Sequence, residues 1–331
     1  MTISHFLHCR LGDHCSIVPR PRESVVAIGN FDGVHCGHQS VLQMASGIAR
    51  SKGLDCYVLS FEPHPQTLFK PHSPVFRLTP EIIKAKVIKA FGLDGLLILP
   101  FTWELADTSA DTFIKHYILK QAGAKHVVTG FNFHFGKNRQ GSPEYLSSKG
   151  RGLGFSTTTV EEKDDEQGEL VSSRRIRKLL EASDIKSANQ LLGYRWIING
   201  FVQAGQRIGR TLGYPTANLS LPSTCHLAYG IYAVRLRREN GQLYDGVASY
   251  GRRPTIGHGE VLLEIFIFDF SGDLYGEELS ISLFDHIRRE KKFKNIRDLI
   301  KRMDQDSITA RKILRGARPF SRLDKIMNFS M

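Results

Sequence analysis

The chain has 331 residues, enough for about two domains of ordinary size. Its 41% hydrophobic and 24% charged content excludes a disordered or fibrous protein and fits globular domains. The net charge of +12 raises nucleic-acid binding, but residues 286–331 hold 14 Lys and Arg against 5 Asp and Glu, so the excess is concentrated in one C-terminal segment that reads as a solvated helix face.

The N-terminal MTISHFLHCRLGDH has polar and charged residues where a signal peptide needs an apolar core. Cys9, Cys15, Cys36, Cys56 and Cys225 form no CxxC pair, as expected of reduced thiols in a cytoplasmic protein. Beyond this point the pattern predicts strands over 25–29, 55–61, 95–100, 126–129 and 154–160, and helices over 38–51, 80–91, 109–121 and 173–182. Such alternation implies a parallel sheet covered on both faces. GLLILPF at 95–101 suits a buried strand and is too short to span a membrane. Ligands on a sheet of this kind lie at strand carboxyl ends. GNFDGVHCGH (29–38), FEPHP (61–65) and GFNFHFG (130–136) all fall there.

GNFDGVHCGH is the most informative of these. Gly37 lets backbone N–H groups approach an anion, the start of the following helix adds donors and partial positive charge, and His35 and His38 add imidazole donors. That set suits a nucleotide phosphate whose α-phosphorus is attacked. The string is neither a Walker A loop nor a GxGxxG fingerprint, and no Cys or acidic residue stands at zinc-ligand spacing. Cys36, between two histidines at a helix start, is either an acidified thiol or an inert, partly buried one.

EEKDDEQGE (161–169) reads as an exposed loop or hairpin tip, and VSSRRIRKLL (171–180) as a serine-capped basic helix start. Residues 183–195 lead into a different texture, which sets domains at 1–185 and 186–331. Short strands over 196–204, 230–238, 243–250, 260–270 and 277–284, with a hairpin at Asn240-Gly241, predict a small β-barrel. Phe293, Ile296, Ile300 and Met303 share one face of a terminal helix. In GQRIGRTLGYPTANL (205–219), Gly205, Gly209 and Gly213 permit a tight phosphate loop, and Thr216 and Asn218 offer oxygens to a hard cation such as the magnesium that accompanies ATP.

These motifs, in this order, resemble the bifunctional riboflavin kinase/FAD synthetases over nearly the whole chain. The resemblance implies a Rossmann-like HxGH nucleotidyltransferase domain, α/β in class, followed by a β-barrel kinase domain. The kinase would phosphorylate riboflavin to FMN, and the first domain would transfer AMP from a second ATP to FMN, giving FAD and pyrophosphate. By position in the motifs, ATP and phosphate would meet Gly29, Phe31, Asp32, Gly33, Gly37, His64, Ser172, Ser173, Arg177, Gly205, Gly209, Arg210 and Gly213. His35 and His38 would be catalytic, and Asn132 and Arg139 would serve flavin and nucleotide. In the second domain Glu264 holds the general-base position, Thr216 and Asn218 the magnesium position, and Arg288, Glu290 and Phe293 the flavin position. Arg174 replaces a usual threonine, and Ser249, Tyr250 and Phe266 depart from the commonest form. Those departures keep an adenylyltransferase with a degenerate kinase half as one alternative. Another HxGH nucleotidyltransferase leaves the PTAN string unexplained, and an RNA-binding regulator using the basic tail ignores the ordered motifs. Neither nucleic acid nor membrane is an expected partner.

Overall fold

The computed structural model describes residues 6–11, 23–203, 213–252 and 261–330. The chain divides into two compact units, Met1–Ser173 and Arg174–Met331.

In the first unit six strands form one parallel sheet: β1 (Leu7–Arg10), β2 (Ser24–Ile28), β3 (Asp55–Glu62), β4 (Gly95–Pro100), β5 (Ala124–Gly130) and β6 (Ser156–Val160). Their order is β1-β4-β3-β2-β5-β6. The order reverses around β2, which makes the carboxyl end of β2 the topological switch point where such sheets bind ligands. Helix α1 (Cys36–Lys52) buries Val41, Leu42, Ala45 and Ala49, and ends on Gly53 in the left-handed conformation. Alternate strand residues, among them Val26, Ile28, Leu59, Leu97 and Val127, form a core with Phe113, Ile114 and Ile118.

The helix predicted over 109–121 is one short turn that runs into a π-helix, Phe113–Gln121. Among the described residues, five elements of this unit lie outside the predicted pattern: β1, α2 (Pro65–Phe69), a turn of helix α4 (Trp103–Ala106), the single turn Lys137–Arg139 and helix Pro143–Leu153. The acidic stretch is a hairpin tip, closed by the Asp164–Leu170 bridge. Helix α3 (Glu81–Phe91) follows Pro80, as the Thr-Pro-Glu signal predicts.

The helix Ser173–Glu181 starts on the last residue of the first unit and leads into the second, where helix Ile185–Leu192 follows. The latter fills the stretch read as a transition between textures. Six antiparallel strands follow: β7 (Ile197–Phe201), β8 (Thr216–Ser220), β9 (Gly230–Arg237), β10 (Leu243–Arg252), β11 (Val261–Ile267) and β12 (Glu278–Arg288), in the order β7-β12-β9-β10-β11-β8. The Gln203–Asn218 bridge brings the two ends of the sheet together, so the barrel is nearly closed. The PTAN string lies on strand β8, not in a free loop. A long helix (Ile296–Gly316) packs Ala310 and Leu314 against Ala233, Phe268 and Phe284, and a last helix (Arg322–Asn328) ends the described chain.

Candidate active sites

The first site is built on the turn after β2. Phe31 (φ 46°), Gly33 (φ 88°) and Val34 (φ 39°) all adopt left-handed backbone, a conformation that non-glycine residues avoid. The turn is held by buried partners. Asp32, 2% exposed, accepts hydrogen bonds from the backbone N–H groups of Leu78 (3.3 Å) and Thr79 (3.0 Å). The Gly33 N–H donates to Thr79 Oγ1 at 2.8 Å. Ser173 closes the other side, donating from Oγ to the Asp32 carbonyl at 2.7 Å.

This turn delivers both histidines to the start of α1. His35 is its N-cap, and His35 Nδ1 accepts from the His38 backbone N–H at 3.3 Å, which puts the proton of a neutral ring on Nε2. The two imidazoles stack with centroids 3.7 Å apart, and Phe31 lies edge-on to His38 at 5.3 Å. A Cβ at Gly37 would sit 3.2 Å from the His35 ring, so glycine is what admits this stacking. Burial first, then the charges of His35 and Lys84, push the His38 pKa well below the ordinary imidazole value. His38 is therefore neutral near pH 7, and its covered Nδ1 has no partner among the described residues. Cys36 goes the way of the inert alternative. Burial raises its pKa, with Lys163 only partly opposing, and a neutral His38 offers no imidazolium to acidify the thiol.

The other motif residues of this unit lie around the same strand ends. His64 caps α2 by accepting from the Gln66 N–H at 3.2 Å. Asn132 and Arg139 are exposed on the turn after β5, where Arg139 Nη2 lies 3.2 Å from His134 Nδ1. A Cβ at Gly136 (φ 74°) would meet the Ala110 backbone at 2.8 Å, so this turn needs glycine. Gly29 sits against the Phe31 ring, and Ser172 directly precedes the helix that begins at Ser173. Arg177 lies on that helix and belongs to the second unit.

Two features escaped the sequence reading. One is a buried charge cluster of Glu62, Arg77 and Lys84 beside Asp32. The other is an exposed aromatic surface at the ends of β3 and β4. There Phe69 (55% exposed) meets Trp103 (61% exposed) at 5.5 Å and Phe101 at 5.9 Å. The position of Phe69, close behind FEPHP, was the available signal.

The second site lies across the barrel sheet. Glu264 on β11 pairs with Asn218 on β8 and with Ser249 on β10. Phe266 pairs with Thr216. Because strand side chains alternate, Thr216, Asn218, Glu264 and Ser249 share one face. Of the three departures, Ser249 is on that face, Phe266 packs on Tyr214 at 4.7 Å, and Tyr250 is buried on the opposite face. Tyr214 in turn donates to Asp304 of the long helix. Glu290 continues the site, because its carboxyl lies against Gly251, two residues along β10 from Ser249. A Cβ on Gly251 would fall 1.7 Å from Glu290 Oε1. Arg288 is engaged by Asp306 through Nε (3.0 Å) and Nη2 (2.6 Å), and faces the Phe293 ring at 5.9 Å. Gly213 has a left-handed φ of 81°. Gly205, Gly209 and Arg210 lie outside the described residues. Among the described residues no three His, Cys, Asp or Glu side chains group to hold a metal, and no helix is long and apolar enough to cross a membrane.

Residues 17–175 match the family model for FAD synthetase, and residues 192–314 match that for riboflavin kinase. The chain is 36% identical over 302 residues to the bifunctional riboflavin kinase/FMN adenylyltransferase of Bacillus subtilis, covering 88% of this chain and 93% of the relative. This chain belongs to the bifunctional riboflavin kinase/FMN adenylyltransferase family. The Escherichia coli K12 enzyme is 34% identical, with 90% of this chain and 96% of the relative covered. A solved structure titled a macrolide-efflux protein from Streptococcus pneumoniae superposes with a TM-score of 0.81 at 31% identity, covering 95% of this chain and all of that one. As a bifunctional riboflavin kinase/FMN adenylyltransferase, the chain phosphorylates riboflavin to FMN and adenylylates FMN to FAD, using ATP in both reactions.

Proposed function

We propose that adenylyl transfer occurs at the turn carrying His35 and His38, and that riboflavin is phosphorylated on the barrel face carrying Glu264. In the first reaction an FMN phosphate oxygen attacks the α-phosphorus of ATP, and the bond from that phosphorus to pyrophosphate breaks. Negative charge spreads over the phosphoryl oxygens, and preorganised donors stabilise it most where water is excluded. Nε2–H of His35, the N–H groups opening α1 and the ring of His38 are such donors. A neutral His38 donates a hydrogen bond without giving up a proton, which suits a reaction in which none is transferred at the phosphorus. The flavin ring is assigned to the Phe69–Trp103 surface, because a planar aromatic ligand covers exposed aromatic rings at the ligand-binding edge of the sheet. Asn132 and Arg139 face its phosphate, and Gly29, Phe31, Asp32, Gly33, Gly37, His64, Ser172 and Ser173 shape the ATP side.

In the second reaction the ribityl 5′-hydroxyl attacks the γ-phosphorus of ATP and ADP leaves. Glu264 takes the hydroxyl proton. Thr216 and Asn218 supply neutral oxygens beside that carboxylate, a hard donor set that fits magnesium entering with ATP rather than a resident ion. When bound, magnesium neutralises phosphate charge. Glu290 borders the riboflavin with Phe293. Arg288 acts through its tie to Asp306. The two modules are taken as residues 1–185 and 186–331, although the compact units divide earlier, at Ser173 and Arg174, so that the helix running to Glu181 falls in the second unit.

The observation that supports this reading best is the cross-strand pairing of Glu264 with Asn218, which sets the proposed base and the proposed magnesium ligand on one face, with the stacked histidines as its counterpart in the first unit. The test is incubation with riboflavin, ATP and magnesium, with FMN and FAD resolved by chromatography, for the wild type and for variants of each site. Loss of the wrong product from a variant would reassign its residue.

A further inference from the structure

We propose that Lys84 is a positioning residue for adenylyl transfer: its buried ammonium holds the Asn30 carbonyl, and so sets where the following turn places His35 and His38. This rests on the reading that the HxGH turn is the site of adenylyl transfer.

The Lys84 side chain is wholly buried on α3, an uncommon place for lysine. Its Nζ donates to the Asn30 carbonyl at 2.9 Å, to Ser60 Oγ at 2.8 Å and to Glu62 Oε1 at 3.1 Å. Ser60 Oγ donates to the same carbonyl at 3.0 Å. Asn30 directly precedes Phe31, the first left-handed residue of the turn. Glu62 is gripped on both oxygens by Arg77, at 2.5 Å each, and Arg77 Nε lies 3.5 Å from Asp32 Oδ1. Lys84 and Arg77 thus fasten the turn from two sides, at Asn30 and at Asp32, with Glu62 as the shared counter-ion. Burial works against the charge on Glu62, yet Arg77 and Lys84 hold its carboxyl below the usual range. Burial lowers the pKa of Lys84, while Glu62 and Asp32 favour its charged form.

A lysine that only balanced Glu62 would not need the Asn30 carbonyl. The turn, in contrast, needs an anchor, since Phe31 and Val34 hold backbone conformations that relax once the surroundings let go. Lys84 also acts on the chemistry at a distance. Its positive charge, after burial and together with His35, disfavours the imidazolium of His38. The charged groups around the ammonium are Glu62, Arg77 and Asp32, and all three remain when Lys84 alone is changed.

The test is Lys84→Met, which keeps chain length and removes the charge and three donors. The kcat for FAD formation from supplied FMN is expected to fall on the order of 10²-fold, as for a misplaced reacting group. KM for ATP should change little, and riboflavin phosphorylation in the same sample should be unchanged. NMR of ring-labelled histidine should show the His38 titration moved upward. A folded Lys84→Met enzyme with wild-type FAD synthesis, or with an unmoved His38 titration, overturns the assignment. If Lys84→Met unfolds the first unit, Lys84→Met/Glu62→Gln, which leaves no unmatched buried charge, carries the test. Stability regained with FAD synthesis still low supports positioning, whereas recovery of both makes Lys84 merely structural. His38→Ala is measured beside them. Full FAD synthesis in that variant would remove the HxGH reading itself, whatever Lys84 does.

Discussion

At the scale of residues, the two sites make opposite demands on protonation, and each demand can be tested. His38 is kept neutral by burial and by its cationic neighbours. Its folded pKa is depressed, so the unfolded chain binds a proton that the folded chain resists. The associated stability is complete above the unfolded imidazole pKa and is lost as pH falls from about 6.5 toward the folded value. Thermal melting of the wild type should therefore weaken across that window, and His38→Gln should flatten the slope. In the FAD assay, His38→Ala should lower the rate roughly 10²–10³-fold, the usual effect of losing a transition-state donor, while FMN still forms. Glu264→Gln should do the reverse. Glutamine keeps the shape beside Asn218 but cannot take the hydroxyl proton, so FMN formation should fall about 10²–10⁴-fold while supplied FMN is still converted to FAD. Near-normal kinase turnover in that variant would remove Glu264 as the base.

At the scale of elements, the last helix is fixed by charge rather than by apolar packing alone. Arg195, at the entrance to the barrel, pairs with Asp324 of the helix Arg322–Asn328, with the two side chains 7% and 0% exposed. Its guanidinium also lies 4.2 Å from the Phe284 ring and 4.5 Å from that of Phe320. Arg235 and Arg237 donate to the carbonyls of Asn328 and Met327 at the far end of the helix. Asp324→Asn should cost about 3 kcal/mol of second-unit stability, because it leaves a buried guanidinium without its counter-ion. Denaturant titration of that unit checks this, and a loss within experimental error would mean the pair is dispensable. The tie itself is not legible in the sequence: ARPFSRLDKIMNFS offers Ser321 as a cap and Leu323, Ile326 and Met327 at helical spacing, but not the partner that Asp324 finds in Arg195. What was legible was local. Five strands of the first sheet and the Asn240-Gly241 hairpin announce themselves through apolar runs and turn residues a few positions long. The helix Ile185–Leu192 was passed over although Asp184 caps one end and Gly193 the other, because it lay between two stronger textures. In the sequence Lys84 is one lysine among three on the helix Glu81–Phe91, and only tertiary contact reveals that it is buried on the Asn30 carbonyl.

At the scale of the whole molecule, the two chemistries belong to two compact units that meet in sequence at Ser173 and Arg174. The helix opened by Ser173 is informative here. Ser173 itself bonds to the HxGH turn, but the helix commits its later residues to the barrel unit, where Ile176 and Leu180 are wholly buried and the Ala228 N–H donates to the Leu180 carbonyl at 3.2 Å. A fragment that starts at residue 186 discards this packing, and one that starts at residue 174 retains it. Both should phosphorylate riboflavin, because Thr216, Asn218, Glu264 and Glu290 all come from the barrel, and neither should make FAD. The longer fragment should be the more stable by about 2–5 kcal/mol, since the shorter one loses the equivalent of large buried side chains such as Leu180 and Ile176. Urea unfolding of both fragments, paired with the FMN assay, measures the difference. Equal stability would place the helix outside the kinase module, and a folded longer fragment without kinase activity would mean that the barrel needs the first unit to complete its site.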